Sequence, residues 1–82
     1  MILVDAFGHM VATDNETELH KFARKMGLKK SWYQRRDSHP HYDLLNNKMI
    51  DQAIEEGAQL ASSRRILREA WWAVDHKKFK II

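Results

Sequence analysis

Apolar residues in this chain follow two rhythms, and the change from one to the other marks the elements. Ile2-Leu3-Val4 is an unbroken apolar run ending at Asp5, the pattern of a short strand covered on both faces. Gly8 breaks the run, and His9-Met10-Val11-Ala12 either extends the sheet briefly or belongs to a connecting loop. Leu19, Phe22, Ala23 and Met26 then recur at i, i+3, i+4 and i+7, one buried face of a helix. Its start is signalled twice, because Thr13 with Glu16 and Asn15 with Glu18 both have capping-box spacing. Gly27 stands where a left-handed C-terminal cap belongs.

The second half repeats the alternation. Ser31-Trp32-Tyr33-Gln34 predicts a short strand, since aromatic side chains suit a pleated surface. Arg35 to Tyr42 holds the only proline and reads as a loop. A helix begins at Asn46 or Asn47, turns Met49, Ile50, Ala53 and Ile54 inward and closes at Gly57. Ala58-Gln59-Leu60-Ala61 is the third strand candidate. Ser62 or Ser63 caps a third helix with Ile66, Leu67, Ala70, Trp71 and Val74 inward. Phe79-Lys80-Ile81-Ile82 either adds a terminal strand or packs down.

Strand-helix alternation repeated three times predicts an α/β fold: a small three-layer domain with three helices around a short, mainly parallel three-stranded sheet. Right-handed crossovers with the most apolar strand central give the order 2-1-3, and a two-strand α+β arrangement is the alternative. Residues 1–82 read as one domain.

Composition narrows the setting more than the chemistry. There is no cysteine, which removes disulfides and thiolate metal sites. Apolar residues at 44% and charged ones at 30% are those of a globular chain, not a disordered one. No apolar run is long enough to span a bilayer, and the start lacks the basic lead of a secretory signal, so no membrane role and a cytoplasmic location are expected. The net charge of +3 mildly favours an anionic partner.

In open α/β sheets ligands bind beyond the carboxyl ends of the strands. That rule collects Asp5, His9 and Asp14 after strand one, Gln34, Arg35, Arg36, Asp37, His39, His41, Tyr42 and Asp43 after strand two, and Ser62, Ser63, Arg64 and Arg65 after strand three. Ser62-Ser63-Arg64-Arg65 at a helix start forms an anion cradle of hydroxyls, free N–H groups and helix dipole, or simply a serine cap with solvated arginines. His39-Pro40-His41-Tyr42-Asp43 is the densest polar cluster, and Asp5, His9, His41 and Asp43 together could hold zinc, manganese or iron. No HExxH, HD or Cys-His motif is present, so a divalent metal is an option and no cofactor is required.

Other features have plainer readings. His20 beside the apolar helix face reads as a half-buried packing residue. Trp71 and Trp72 cannot share one helix face, so one is core and the other is a boundary residue or a homodimer contact. Lys29-Lys30 with Arg35-Arg36 around Trp32 and Tyr33 has the interleaving of single-strand nucleic-acid binders, although cations after a helix end are favoured anyway.

The run Val4-Asp5, His9-Met10, Ala12, Asp14, Glu18-Leu19-His20, Phe22-Ala23, Gly27-Leu28, Trp32-Tyr33-Gln34 and His41-Tyr42-Asp43-Leu44, followed by Gly57-Ala58, resembles the domain of unknown function numbered forty thirty-one, to about Leu67. Tyr33 stands where that family usually carries Phe. The resemblance implies that Asp5, His9, Asp14, His20, Gln34, His41, Tyr42 and Asp43 share one polar site, in a bacterial- or phage-type accessory protein. The leading expectation is binding of a small phosphorylated, nucleotide-like ligand in the His/Asp/Arg rim. A metal-dependent phosphodiesterase or phosphatase is second, and a basic nucleic-acid or protein adaptor third.

Overall fold

The computed structural model describes residues 1–34 and 39–71. Its elements are β1 (Ile2–Val4), β2 (His9–Ala12), α1 (Glu16–Lys25), a 3₁₀ turn (Lys30–Trp32), β3 (Tyr33–Gln34), β4 (His41–Asp43), α2 (Asn47–Glu55), β5 (Gln59–Leu60) and α3 (Ser63–Ile66). A π-helical turn, Leu67–Trp71, continues α3. The two long helices start and stop where side chains satisfy their end groups. Asn15 Oδ1 accepts from the Glu18 N–H and Asn46 Oδ1 from the Met49 N–H, both at 2.9 Å. At the other end of α1, Gly27 N–H donates to the Arg24 carbonyl and Leu28 N–H to the Ala23 carbonyl. This Schellman closure requires the left-handed φ of +78° that Gly27 adopts, and α2 ends with the same pair of bonds.

The sheet corrects the expected architecture. It has five strands in the order β3-β4-β2-β1-β5, and three of its four pairings are antiparallel. It is therefore neither three-stranded nor mainly parallel, and the order 2-1-3 does not occur. His9–Ala12 is a full strand that folds straight back on β1 through the tight turn Asp5–Gly8, pairing Ile2 with Ala12 and Val4 with Met10. His41 and Tyr42, expected in a loop, belong with Asp43 to the strand β4 that pairs with β2. The expected second strand is shortened to Tyr33–Gln34 and displaced to the far edge, because β2 and β4 fill the positions beside β1. The parallel contact is β1 with β5, where Leu3 faces Gln59 and Val4 faces Leu60.

Period-two alternation splits the side chains between two faces. Ile2, Val4, Met10 and Tyr42 pack with Leu19, Ala23 and Met26 of α1 and its cap and with Ile50 and Ala53 of α2. Leu3 and Val11 pack on the opposite face against Ala61 and Ile66, with Ala70 and Trp71 alongside. Inward positions assigned from periodicity hold for Ile50, Ala53 and Ile66, whereas Ile54 and Leu67 are exposed. Val74 and Phe79–Ile82 lie outside the described residues. Among the described residues no helix is long and apolar enough to cross a membrane.

Leu3 has no exposed surface, while Leu60, on the adjacent strand β5, is 60% exposed. Leu3→Ala is expected to cost about 3 kcal/mol in urea unfolding, and Leu60→Ala less than about 0.5 kcal/mol. Equal costs would contradict this division of the sheet.

Candidate functional site

The polar site begins with the turn that joins β1 to β2. Asp5 follows the last residue of β1, and its carboxylate is 1% exposed. Four donors meet it. Oδ1 accepts from the backbone N–H groups of Phe7 and His9 at 2.9 Å, and Oδ2 accepts from Ser63 Oγ and His9 Nδ1 at 2.8 Å. Burial opposes ionisation, but the bonds from the His9 backbone, the His9 ring and Ser63 outweigh it and hold the carboxyl below its usual range. An ionised carboxylate only accepts, so the proton on the shared bond belongs to His9 Nδ1. Nε2 is the atom left to His9 for a ligand.

Directly across the ladder from His9 stands Asp43, and two residues before it His41 projects on the same face. His41 Nδ1 donates to the His39 carbonyl at 2.8 Å, and its Nε2 lies 3.2 Å from Asp43 Oδ1. His9, His41 and Asp43 each offer one ligand atom, all within 4.8 Å of one another, and all three are half-buried. Trp71 from the turn after α3 closes the side. Its ring stacks on His39 at 4.9 Å, meets His41 edge-on at 5.7 Å and His9 at 6.3 Å, and donates Nε1–H to the Pro40 carbonyl.

Both Nδ1 atoms donate to oxygens that can only accept. Each neutral ring therefore carries a lone pair at Nε2, that of His41 lying 3.2 Å from Asp43 Oδ1. Acceptors gathered this closely repel one another unless a proton or a metal cation sits among them. The donor set and its outer bonds match a transition-metal site in which a carboxylate or carbonyl fixes each histidine through the far nitrogen.

The remaining expected residues disperse. Gln34 is the ladder partner of His41 and sits beside the cluster. Tyr42 points to the opposite face, where its hydroxyl pairs with His20 Nδ1 at 2.8 Å. His20 is half-buried against Tyr33, as a packing role requires. Asp14 accepts from the Met1 amine at 3.1 Å, at the end of the hairpin remote from Asp5. Arg35, Arg36 and Asp37 lie outside the described residues. Ser62 caps α3 by accepting from the Arg65 N–H, and Ser63 is held by Asp5, so both hydroxyls of the supposed anion cradle are engaged. Arg65 pairs with Glu69, and Arg64 is exposed. Lys29 lies over the Trp32 ring at 5.8 Å. Two roles escaped the sequence: Asp5 orients His9, and Trp71, assigned to the core, walls the site. The first had a signal in the spacing Asp5-x-x-Gly8-His9, an aspartate placed to bond the backbone of its own turn.

A carboxylate whose folded pKa is depressed adds stability above its unfolded pKa and loses it as pH falls through the folded value. Unfolding free energy should therefore decline in the wild type below about pH 4. Asp5→Asn should start about 1–3 kcal/mol lower at neutral pH and show a flatter acid limb in urea titrations. An unchanged acid limb would assign that sensitivity to other carboxylates.

No curated protein and no solved structure gives a significant match to the chain. The model of the family described as protein of unknown function (DUF4031) matches residues 3–72, a span that contains the hairpin, both long helices and every member of the His/Asp cluster. The chain belongs to the DUF4031 family.

Proposed function

We propose that the protein holds one divalent transition metal through His9 Nε2, His41 Nε2 and Asp43, and that its activity is metal-dependent hydrolysis of a phosphoester. The observation that carries the metal is the meeting of two oriented imidazole lone pairs with one carboxylate, each ring fixed by an acceptor on its other nitrogen. Three protein ligands leave coordination positions for water and substrate, the arrangement of catalytic rather than structural metal sites. A metal held by these residues would supply a bound water of lowered pKa and charge to offset that building on the phosphoryl oxygens during hydrolysis of the P–O bond.

The phosphoester follows from weaker features. The chain carries +3 net charge, and Arg64 and Arg65 follow Ser63, the residue that touches Asp5. The phosphorylated, nucleotide-like ligand expected from the strand-end rim becomes the substrate in this reading.

Zinc, manganese and ferrous iron should each be tested in thermal unfolding, followed by turnover of an activated phosphodiester and a phosphomonoester. A metal at a hundred times its dissociation constant stabilises by about 2.7 kcal/mol. His9→Ala, His41→Ala and Asp43→Ala should each abolish that gain, and Asp5→Asn should weaken metal affinity by about 10–100-fold. Stabilisation that survives all three ligand substitutions would place the metal elsewhere, and metal binding without turnover would leave a binding protein.

A further inference from the structure

A second concave site lies on the other face of the sheet and takes no part in the metal cluster. His20, Arg24, Leu28, Lys30 and Tyr42 line a cavity of about 240 Å³. His20 and Arg24 are one turn apart on α1, and Lys30 opens the 3₁₀ turn that follows the Gly27 cap. Three basic side chains thus converge from two elements, and no carboxylate is among the lining residues.

One hydrogen bond ties His20 to the sheet. The Tyr42 side chain is buried, and burial pushes its hydroxyl pKa up against the opposing charge of Arg24, so the hydroxyl keeps its proton. It lies 2.8 Å from His20 Nδ1, in a bond where a phenolic hydroxyl can donate or accept. In the tautomer in which Nδ1 accepts, the ring proton is on Nε2 and the free edge of His20 is a donor. Neither the Arg24 guanidinium nor the Lys30 ammonium has a hydrogen-bond or ion-pair partner among the described residues. Glu16, one turn before His20, instead accepts the Tyr33 hydroxyl at 2.8 Å.

A basic residue in the last turn of a helix is favoured by the helix dipole alone. The dipole does not explain why a histidine one turn earlier, tied to Tyr42, lines the same cavity as that residue. Nor does it explain why a lysine from a separate turn completes the same concavity. Charge-assisted donors from three directions are the means by which proteins hold a tetrahedral oxyanion.

We propose that this cavity binds a phosphate group, best as the dianion of a phosphomonoester, with His20 Nε2, Arg24 and Lys30 as the donors. Its volume lies below the roughly 300–1,000 Å³ of pockets that enclose a drug-sized ligand, so it takes a phosphoryl head group and leaves the rest of the molecule outside. The assignment does not rest on the metal reading, because none of its donors belongs to the metal cluster.

The test is an NMR titration of the His20 ring signals with inorganic phosphate, in chelator, at constant ionic strength with chloride as control. Saturable shifts are expected with phosphate and none with chloride, and dimethyl phosphate, a monoanionic diester, should bind more weakly. Arg24 and Lys30 are exposed, so Arg24→Gln and Lys30→Gln should fold, and each should weaken phosphate binding about tenfold or more. Lys48→Gln, which removes the same charge from the exposed start of α2, should leave it unchanged. Shifts that follow chloride equally, or losses in Lys48→Gln that match the other two, overturn the site. Equal affinity for dimethyl phosphate overturns the monoester assignment. Metal binding measured on the same Arg24 and Lys30 variants should be intact, so failure here and failure of the metal centre are separate results.

Discussion

One buried carboxylate organises this domain. Asp5 closes the β1–β2 turn through two backbone amides, fixes the ring of His9 and reaches the first residue of α3 through Ser63. A charge this deeply buried would be strongly destabilising without partners, and four donors meet it at hydrogen-bond distance. The hairpin, the third helix and the orientation of the His9 ring are therefore parts of one arrangement. Weakening the carboxylate loosens the fold and the site together.

The second organising element is a strand of only three residues. His41 and Asp43 of β4 lie on the α3 side of the sheet, and Tyr42 between them lies on the α1 side. A shift of one residue in its register would exchange the two sets. The alternation explains why residues that are adjacent in sequence lie on two separate faces. It also explains why the eight-residue polar set implied by the family resemblance divides between two faces and the far end of the hairpin.

The helices were legible because their signals are local. Asn15, Asn46, Gly27 and Gly57 act within one turn of their own position, and the apolar spacing of α1 and α2 matches the buried faces except at Ile54. The sheet was less legible, for two physical reasons. Ile2-Leu3-Val4 is buried on both faces under either strand arrangement, so its composition carries no information on whether its neighbours run parallel or antiparallel. In β4 the outward-alternating residues are His and Asp, which read as loop chemistry because a polar site takes the place of apolar packing there. The cluster itself was half legible: the residue types of Asp5, His9, His41 and Asp43 could be named, but their arrangement depends on a ladder pairing between residues 9 and 43.

Gly8 carries the last consequence. Its φ is +94°, its carbonyl accepts from the Leu44 N–H at 2.8 Å, and a β-carbon on it would stand 2.3 Å from the Leu44 carbonyl oxygen. That oxygen belongs to the residue after Asp43, on the strand that also carries His41. Any side chain at position 8 would push the end of β4 outward and separate Asp43 from His9, although neither has changed. The stretch of sequence in which a mutation can disturb the His/Asp cluster is thus wider than the cluster, and it includes a position with no functional group at all.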